Sequence, residues 1–358
     1  MFSLNTILTF LVVLGILVFV HEFGHYIVAR ICGVQVQTFS LGFGPKILSK
    51  QWGPTEYCIS IVPLGGYVRL LGDDPNEEVA TEELERSFLA QKVSKRIAIV
   101  IAGPLFNLLL ALVIFSGSFM VGERVQTSDV GEVQEDSPAD RGGMKPGDQI
   151  VAIENQPIAE WEEIRKALQK QGGQELNFVV ERDGREVALT ISPEKKELKD
   201  PLGDTHSRWV IGIIPSGESF TKHHDPITAV YKGTEMTSRW IGMTVLGIVR
   251  MIQGRISRDN IGGPILIAKL AGESASHGLM NVAFFTALIS INLGILNILP
   301  IPVLDGGHLA FFIIEAILGR PLSLKKREIA QQVGLFLIIS LMVFAFYNDI
   351  MRFFINPR

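Results

Sequence analysis

Two histidines and a glutamate form a tight cluster near the amino-terminal end of the chain. The residues are His21-Glu22-Phe23-Gly24-His25, an H-E-x-x-H pattern. On a helix, side chains four residues apart share a face, so both imidazoles can reach one metal ion. Glu22 lies beside them, where its carboxylate can take a proton from water at that metal. The pattern predicts a metal-dependent hydrolytic site, whereas a polar cap on an apolar helix would be the simpler explanation.

A catalytic zinc ion needs a third protein ligand and an open position for water. Asp305 is the best candidate, in the segment N-x-x-P-x-P-x-L-D-G-G-H of residues 297–308. Pro300 and Pro302 break the preceding helix and free its carbonyl groups, which is tolerated only where the backbone is buried or lines a cavity. Without His21 and His25, Asp305 would be explained as a turn residue that ends a helix. His308 is more consistent with a position outside the ligand set, because a fourth protein ligand would close the site.

Four apolar runs approach the length of about 20 residues that a membrane-spanning helix needs. They cover residues 4–20, with an apolar continuation to 30, and residues 97–121, 279–304 and 333–347. No positive charge precedes the first run and no small-residue cleavage site follows it, which argues against a signal peptide. The fold class predicted is a polytopic α-helical membrane protein with about four transmembrane helices.

Composition excludes several other classes of protein. The chain has 358 residues, 47% hydrophobic and 20% charged, and its 33 Lys+Arg against 37 Asp+Glu give a net charge of −4. Such a composition is not that of a disordered chain, and it lacks the basic excess of a nucleic-acid binder. Cys32 and Cys58 are too few for a disulfide framework or a four-cysteine metal site. We therefore expect no nucleic-acid partner.

Lysine and arginine in short loops predict the orientation in the membrane. The loop between the first two runs and the loop between the last two are rich in these residues: Arg30, Lys46, Lys50, Arg69, Arg86, Lys92, Lys95, Arg96, Arg320, Lys325, Lys326 and Arg327. Both loops should face the cytoplasm, with the amino terminus and residues 122–278 outside. His21, His25 and Asp305 then lie at the same, cytoplasmic, depth.

The outside stretch begins with a soluble module at residues 127–193. Strands are predicted at 130–133, 149–154, 176–181 and 186–191, a helical turn after Ser137 and a helix over 159–170. This pattern and the run S-P-A-x-x-G-G-M-x-P-G-D-x-I from Ser137 resemble a bacterial PDZ domain. Such domains bind extended peptide by strand addition, for which we select Val130, Gly131 and Val133, although a spacer that binds nothing is the alternative.

Two further segments complete the predicted organisation. Residues 34–71 alternate apolar and polar residues and predict β-hairpins, for which an ordinary cytoplasmic loop is the alternative. Residues 225–252 predict an amphipathic helix that lies on the outward-facing surface of the membrane. Their uncharged part is only about half as long as a bilayer-spanning helix needs to be. The domains expected are 1–121 with two transmembrane helices, a periplasmic PDZ domain at 122–200, a linker with the surface helix at 201–278, and 279–358 with the last two transmembrane helices.

Nearly the whole chain resembles the site-2 protease family (peptidase M50) of intramembrane zinc metalloproteases, of the bacterial RseP type. The motifs that carry the resemblance are H-E-F-G-H at 21–25, S-L-G-F-G-P at 40–45, P-L-G-G-Y-V at 63–68, A-G-P-x-x-N at 102–107, the PDZ module, G-G-P-I at 262–265 and N-x-x-P-x-P-x-L-D-G-G at 297–307. Relatives in some bacteria have two PDZ domains in tandem, whereas this chain has one convincing copy.

The resemblance implies a site, an activity and partners. His21, His25 and Asp305 would bind one catalytic Zn²⁺, with Glu22 as general base. Residues that would contact substrate or pack beside it are Asn297, Asn107, Gly103, Gly65 and Gly66. The resemblance alone implies that residues 34–71 form membrane-associated β-hairpins. The enzyme would sit in the bacterial inner membrane and cut the transmembrane segment of a single-span protein such as an anti-sigma factor, and leftover signal peptides, while a peptide or substrate tail binds the PDZ domain.

Two other functions are compatible with a membrane protein of this kind. A catalytically dead scaffold that presents a PDZ domain would have lost Glu22 or Asp305, and both are present. A metal transporter would carry polar ligands along several helices near the middle of the bilayer, whereas here they gather at one end.

Overall fold

The computed structural model describes residues 3–74, 77–199, 205–256 and 261–355. The α-helices in these ranges are α1 (Leu4–Ile31), α2 (Val93–Val121), α3 (Pro138–Arg141), α4 (Trp161–Gln171), α5 (Pro226–Ile252), α6 (Pro264–Ser276), α7 (Leu279–Ile298), α8 (Asp305–Leu318) and α9 (Leu324–Ile350), and a 3-10 helix covers Thr81–Arg86. The strands are β1 (Val36–Trp52), β2 (Thr55–Leu70), β3 (Glu123–Gln126), β4 (Val130–Val133), β5 (Gln149–Ile153), β6 (Gln156–Pro157), β7 (Leu176–Arg182), β8 (Arg185–Ile191), β9 (Glu194–Lys199), β10 (Thr205–Val210), β11 (Ile213–Pro215) and β12 (Ser219–Lys222).

Four of the described helices are long and apolar enough to cross a membrane: α1, α2, α7, and α9 with the π-helical turn that follows it to Ile355. This confirms the four spans predicted from the apolar runs. The last helix begins at Leu324, nine residues before the run at Val333, because its first turns are polar and carry no apolar signal. Many apolar side chains on these helices are exposed, as expected of surfaces that face lipid.

The chain forms two compact units. The first comprises residues 1–117, 227–251 and 257–358, and the second comprises residues 118–226 and 252–256. In the first unit, α1 starts with Ser3 as N-cap, whose hydroxyl accepts the Thr6 amide at 3.1 Å. Gly24 brings α1 against α2, because a Cβ there would lie 2.9 Å from the Ala102 carbonyl carbon. Close approach of backbones at small residues is typical of helix packing in membranes.

Strands β1 and β2 form an antiparallel pair that is bent by several register shifts. Residues 38–41 of β1 pair on one side with residues 66–69 of β2 and on the other with residues 56–59. The last part of β2 therefore has strand 36–41 as its neighbour on one side, and no described strand pairs with its other edge.

Helices α5 and α6 pack in the first unit against the spanning helices. Thr244 of α5 donates its hydroxyl to the Asn292 side chain of α7 at 2.9 Å. Gly233 of α5 approaches the backbone of Ser116 in α2, where a Cβ would lie 2.9 Å from the Ser116 amide nitrogen. Helix α6 packs along α1, and its Ala271 is fully buried with Val13 and Leu17.

The second unit is built around a four-stranded antiparallel sheet with strand order β6-β5-β7-β8. Helix α4 packs on the sheet through Trp161, Ile164 and Leu168, which join Phe178 in one buried core. Residues 205–222, which the sequence analysis assigned to a linker, form part of this unit because β11 pairs with β4 and β12 pairs with β3.

Candidate active site

Three potential ligand atoms converge beside the carboxyl-terminal half of α1, where His21 and His25 lie ten and six residues before the helix ends at Ile31. Nε2 of His21 lies 3.3 Å from Nε2 of His25, and Oδ2 of Asp305 lies 3.0 Å and 3.4 Å from those two nitrogens. One ligand atom from each of the three residues lies within 4.8 Å of the others. The two histidines share a face because they are one helical turn apart, and Asp305 reaches them from the first turn of α8.

The turn before α8 positions Asp305. Helix α7 ends at Ile298, and Val303 then adopts φ 116°, a conformation that β-branched residues rarely occupy. The chain turns back tightly here and leaves no room for a side chain at Gly307, where a Cβ would lie 2.5 Å from the Ile301 carbonyl oxygen. Helix α9 covers the turn, where Gly334 contacts the carbonyl of Pro302. The tight turn around Pro302 and Gly307, packed against Gly334, thus places Asp305 next to the histidines of α1.

Both imidazoles are held through their second ring nitrogen. Nδ1 of His25 lies 2.8 Å from the carbonyl oxygen of Ile99, which can only accept, so this nitrogen carries the proton. Nδ1 of His21 lies 3.1 Å from the amide nitrogen of Asn107, a fully buried residue of α2 whose Oδ1 has no partner among the described groups. An amide rotated by 180° would present that oxygen to His21.

The donor set fits a divalent cation. With Nδ1 of His25 protonated, its Nε2 presents a lone pair toward the carboxylate of Asp305. Oδ2 of Asp305 is buried and forms no hydrogen bond within the described part of the chain. Converging lone pairs repel one another unless a cation lies between them, and two imidazoles with one carboxylate are ligands that suit zinc.

Glu22 and the metal-ligand candidates line one cavity of about 510 Å³. Gly66 of β2 lines it as well and lies against α1, where a Cβ would be 3.1 Å from Cγ of Glu22. Tyr67 and Val68 continue along the cavity, so the unpaired edge of β2 lies beside the catalytic candidates. Gly65 is adjacent, at φ 143°, with its Cα against the ring of Phe43.

The other residues selected from the sequence lie at the same place. The amide nitrogen of Asn297 is 3.4 Å from Nε2 of His21. Gly103 leaves room for the ligands, because a Cβ there would lie 2.7 Å from Cε1 of His25 and 2.9 Å from Cε1 of His21. His308 lines the cavity but is not part of the three-residue metal cluster among the described residues.

Several residues near the cavity were not selected from the sequence. Asp73 lines the cavity, and burial raises the pKa of its carboxyl. This effect is opposed mainly by the Leu70 amide, which donates a hydrogen bond to Asp73 at 2.9 Å.

Arg96 of α2 forms a bidentate pair with Glu315 of α8, at 2.6 Å and 3.2 Å. Arg327 of α9, another cavity residue, lies 3.4 Å from the same carboxylate. Charged residues inside apolar helices are a sequence signal that would have identified Glu315.

The strand selected for peptide binding, β4, belongs to the second unit and pairs with β11. Val130 is buried in its core, and Gly131 lies against Ser216, where a Cβ would be 2.7 Å from the Ser216 Cα. Val133 pairs with Ile213 of β11. Among the described strands, β11 has β4 as its only partner, and residues of β11 and α4 together line a groove of about 760 Å³.

Comparison with known proteins identifies the family. The model of Peptidase family M50 matches residues 9–341. A protein of Mesorhizobium japonicum is 39% identical over 97% of this chain and 99% of its own length, and one of Agrobacterium fabrum is 38% identical over 98% and 96%; both are named as zinc metalloproteases. The zinc metalloprotease RasP of Geobacillus kaustophilus is 31% identical over 99% of both chains. The chain belongs to peptidase family M50.

Proposed function

We propose that the protein is a zinc-dependent endopeptidase that cuts the transmembrane segment of single-span membrane proteins. One observation carries the proposal: His21, His25 and Asp305 converge within 4.8 Å on a cavity that Glu22 also lines. Relatives are named zinc metalloproteases, which supports zinc as the ion. Anti-sigma factors are the substrate class that the family resemblance suggests, together with leftover signal peptides.

His21, His25 and Asp305 would hold one zinc ion, and Glu22 would act as general base. Zinc, when bound, supplies a Lewis acid that polarises water and the scissile carbonyl. Glu22 accepts the proton of the attacking water and later donates it to the leaving amine, so that the peptide bond is replaced by a carboxylate and an amine. The amide of Asn297, which lies 3.4 Å from His21 Nε2, would donate a hydrogen bond to the developing oxyanion.

The substrate would bind as a strand along residues 66–70 of β2. A transmembrane helix has all its backbone groups bonded internally and must be unwound before its carbonyl can be attacked. Addition to an open sheet edge replaces the lost hydrogen bonds. The edge at Gly66, Tyr67 and Val68 supports this binding mode, because these residues line the same cavity as Glu22.

The second unit would act as a PDZ domain that binds a peptide or substrate tail. Its sheet with one packed helix supports this assignment, as does the groove between α4 and the open edge of β11. Val130, Gly131 and Val133 would support the peptide-binding strand from behind, since β4 already pairs with β11. The domain would lie in the periplasm and the active site near the cytoplasmic face of the bacterial inner membrane.

The test is cleavage of a single-span model substrate by the purified protein in detergent, with zinc content measured on each sample. We expect Glu22→Gln to reduce the cleavage rate by about 10²–10⁴-fold while it keeps about one zinc ion per chain. Glu235→Gln, which changes an exposed glutamate of α5 in the same way, is the control. Equal cleavage by wild type and Glu22→Gln would exclude Glu22 as the base, and zinc-free protein would exclude the proposed mechanism.

A further inference from the structure

The groove between α4 and β11 is rich in positive charge. Its charged lining residues are Arg165, Lys166, Lys196 and Arg208 against one carboxylate, Glu162. Glu162 lies 3.5 Å from Arg165, so these two charges offset each other. Within the described part of the chain, the other three cations have no carboxylate at ion-pair distance, so a net positive charge lines the groove.

Two of these cations are placed at the groove by the hairpin of β9 and β10. Lys196 and Arg208 are direct partners in the register of the two strands, so their side chains lie on the same face. Glu194, the nearest acidic residue on that face of β9, is engaged in an ion pair with Arg141. Like charges directly opposite one another on a strand pair repel, and an anion bound between them would relieve this repulsion.

Trp209 fixes the hairpin against α4. The side chain of Gln169 donates to the Trp209 carbonyl oxygen at 2.9 Å and accepts from its amide at 3.3 Å. The indole ring packs on Gly173, where a Cβ would lie 2.6 Å from Cζ3 of the ring. Arg208, the preceding residue, is therefore attached to an anchored backbone at the carboxyl end of α4.

The position of the cations relative to β11 determines which end of a peptide they meet. Strand β10 ends at Val210 and leads directly through Gly212, at φ +82°, into β11. A peptide strand added antiparallel to β11 places its carboxyl end beside the start of β11. Arg208 and Lys196 lie at this end of the groove.

We infer that the groove selects extended peptides that carry negative charge next to a free carboxyl end. The inference rests on the proposed peptide-binding function of the second unit and adds the chemical class of the ligand. Substrate tails or cleaved protein ends with acidic residues before the terminus would bind, and neutral or basic ends would bind less tightly because they leave the groove cations uncompensated.

The test uses two fluorescein-labelled peptides and the full-length protein in detergent. Both peptides have the same apolar residues and end in valine with a free carboxylate; one carries aspartates before the valine and the other carries asparagines there. Fluorescence anisotropy measures the dissociation constants. We expect the aspartate peptide to bind about tenfold more tightly at low salt, with the difference shrinking as salt is raised.

Charge-reversal variants locate the effect. Lys196→Glu with Arg208→Glu should abolish the preference for the aspartate peptide. The control, Lys195→Glu with Arg185→Glu, changes the net charge equally at two exposed positions outside the groove and should retain the preference. Equal loss in both double variants would overturn the inference, since the attraction would then be unspecific.

The binding of the two peptides to the wild-type protein distinguishes a failure of charge selection from a failure of peptide binding. If both peptides bind wild type equally, peptide docking stands and the charge selection is wrong. If neither peptide binds, the proposed peptide-binding function of the groove fails, and the inference fails with it. Cleavage of the model substrate by the same samples tests the protease proposal independently.

Discussion

At the scale of single residues, Asn107 has the clearest role that can be tested. Its side chain contacts Nδ1 of His21 from a fully buried position in α2, and the carbonyl of Asn107 accepts the hydroxyl of Ser290 at 2.7 Å. A histidine that binds metal through Nε2 carries its proton on Nδ1 and needs an acceptor there. The Oδ1 atom of Asn107 can be that acceptor, so Asn107 would set the tautomer of His21.

We therefore expect Asn107→Leu to weaken zinc binding by about 10–100-fold. Asn107→Asp keeps an acceptor oxygen at the same position and should bind zinc much more tightly than the leucine variant. Competition with a chelator of known affinity measures this on purified protein, without reference to cleavage. Similar zinc affinities for the two variants would show that Asn107 does not act as the acceptor for His21.

The three metal-ligand candidates could be predicted from the sequence for a physical reason. The spacing of His21 and His25 is one helical turn, and the charges of the loops place the ends of the first and third apolar runs at one depth. Asn107 and Gly103 entered only through the family resemblance, because nothing in an apolar helix indicates which neighbour it will face. Their contacts with the histidines depend on how α1 and α2 pack.

At the scale of helices, a buried charge network joins α2, α8 and α9. Glu315, 8% exposed, accepts two hydrogen bonds from Arg96 and lies 3.4 Å from Arg327. The guanidinium of Arg96 also lies 4.9 Å from the centre of the Phe312 ring. Removal of one partner from such a network leaves a buried charge uncompensated, which costs about 3–5 kcal/mol.

Glu315→Gln should accordingly lower the free energy of unfolding by about 3–5 kcal/mol. Glu235→Gln removes the same charge from an exposed pair with Arg239 on α5, where the side chains are 56% and 63% exposed, and should change it by less than about 1 kcal/mol. Unfolding in detergent, followed by circular dichroism, compares the two variants. Equal losses would mean that the buried network contributes no more than a surface pair.

Asp349 links α9 to the start of α6. This fully buried carboxylate accepts the backbone amides of Gly263, Ile265 and Leu266 at 2.9–3.0 Å. A carboxylate at a helix amino terminus satisfies amides that have no partner within the helix and interacts favourably with the helix dipole. Asp349 therefore serves as the N-cap of α6 from another helix.

We expect Asp349→Leu to increase hydrogen exchange at the amides of Ile265 and Leu266 by about tenfold or more, since each loses a charge-assisted hydrogen bond. Asp349→Asn keeps one acceptor oxygen and should have a smaller effect. Amides of α4, in the other unit, are the internal control. Unchanged exchange at the start of α6 in the leucine variant would contradict this capping role.

Sequence analysis did not identify these contacts between helices. Arg96 and Glu315 are separated by 219 positions, and Asp349 and Gly263 by 86. Asp349 lies just beyond the fourth predicted apolar run, which ends at residue 347, and the sequence does not indicate that the start of α6 packs beside it. The edge strand β11 was missed for a related reason: a strand of three residues has no alternation to detect, and it forms only by pairing with β4 about 80 positions earlier.

At the scale of the whole molecule, the site restricts how the chain can cross the membrane. Asn297 at the end of α7 and Asp305 both lie against His21 in the carboxyl-terminal half of α1, so we expect α1 and α7 to end on the same side. Helices α2 and α7 are both long and apolar enough to cross the membrane. We therefore expect α5 and α6, which lie between them in the chain, to produce no net crossing, which favours the predicted surface position of α5.

The distribution of lysine and arginine predicts which side of the membrane each loop faces. We expect a cysteine in place of Asp183, at the tip between β7 and β8, to react with an impermeant maleimide in intact cells whose outer membrane has been permeabilised. A cysteine in place of Ser323, before α9, should react only after the inner membrane is disrupted. Both are introduced into a chain in which Cys32 and Cys58 are replaced by alanine. The reverse labelling pattern would invert the proposed topology and place the catalytic cavity at the periplasmic face, because Ser323 and the ends of α1 and α7 would then lie outside.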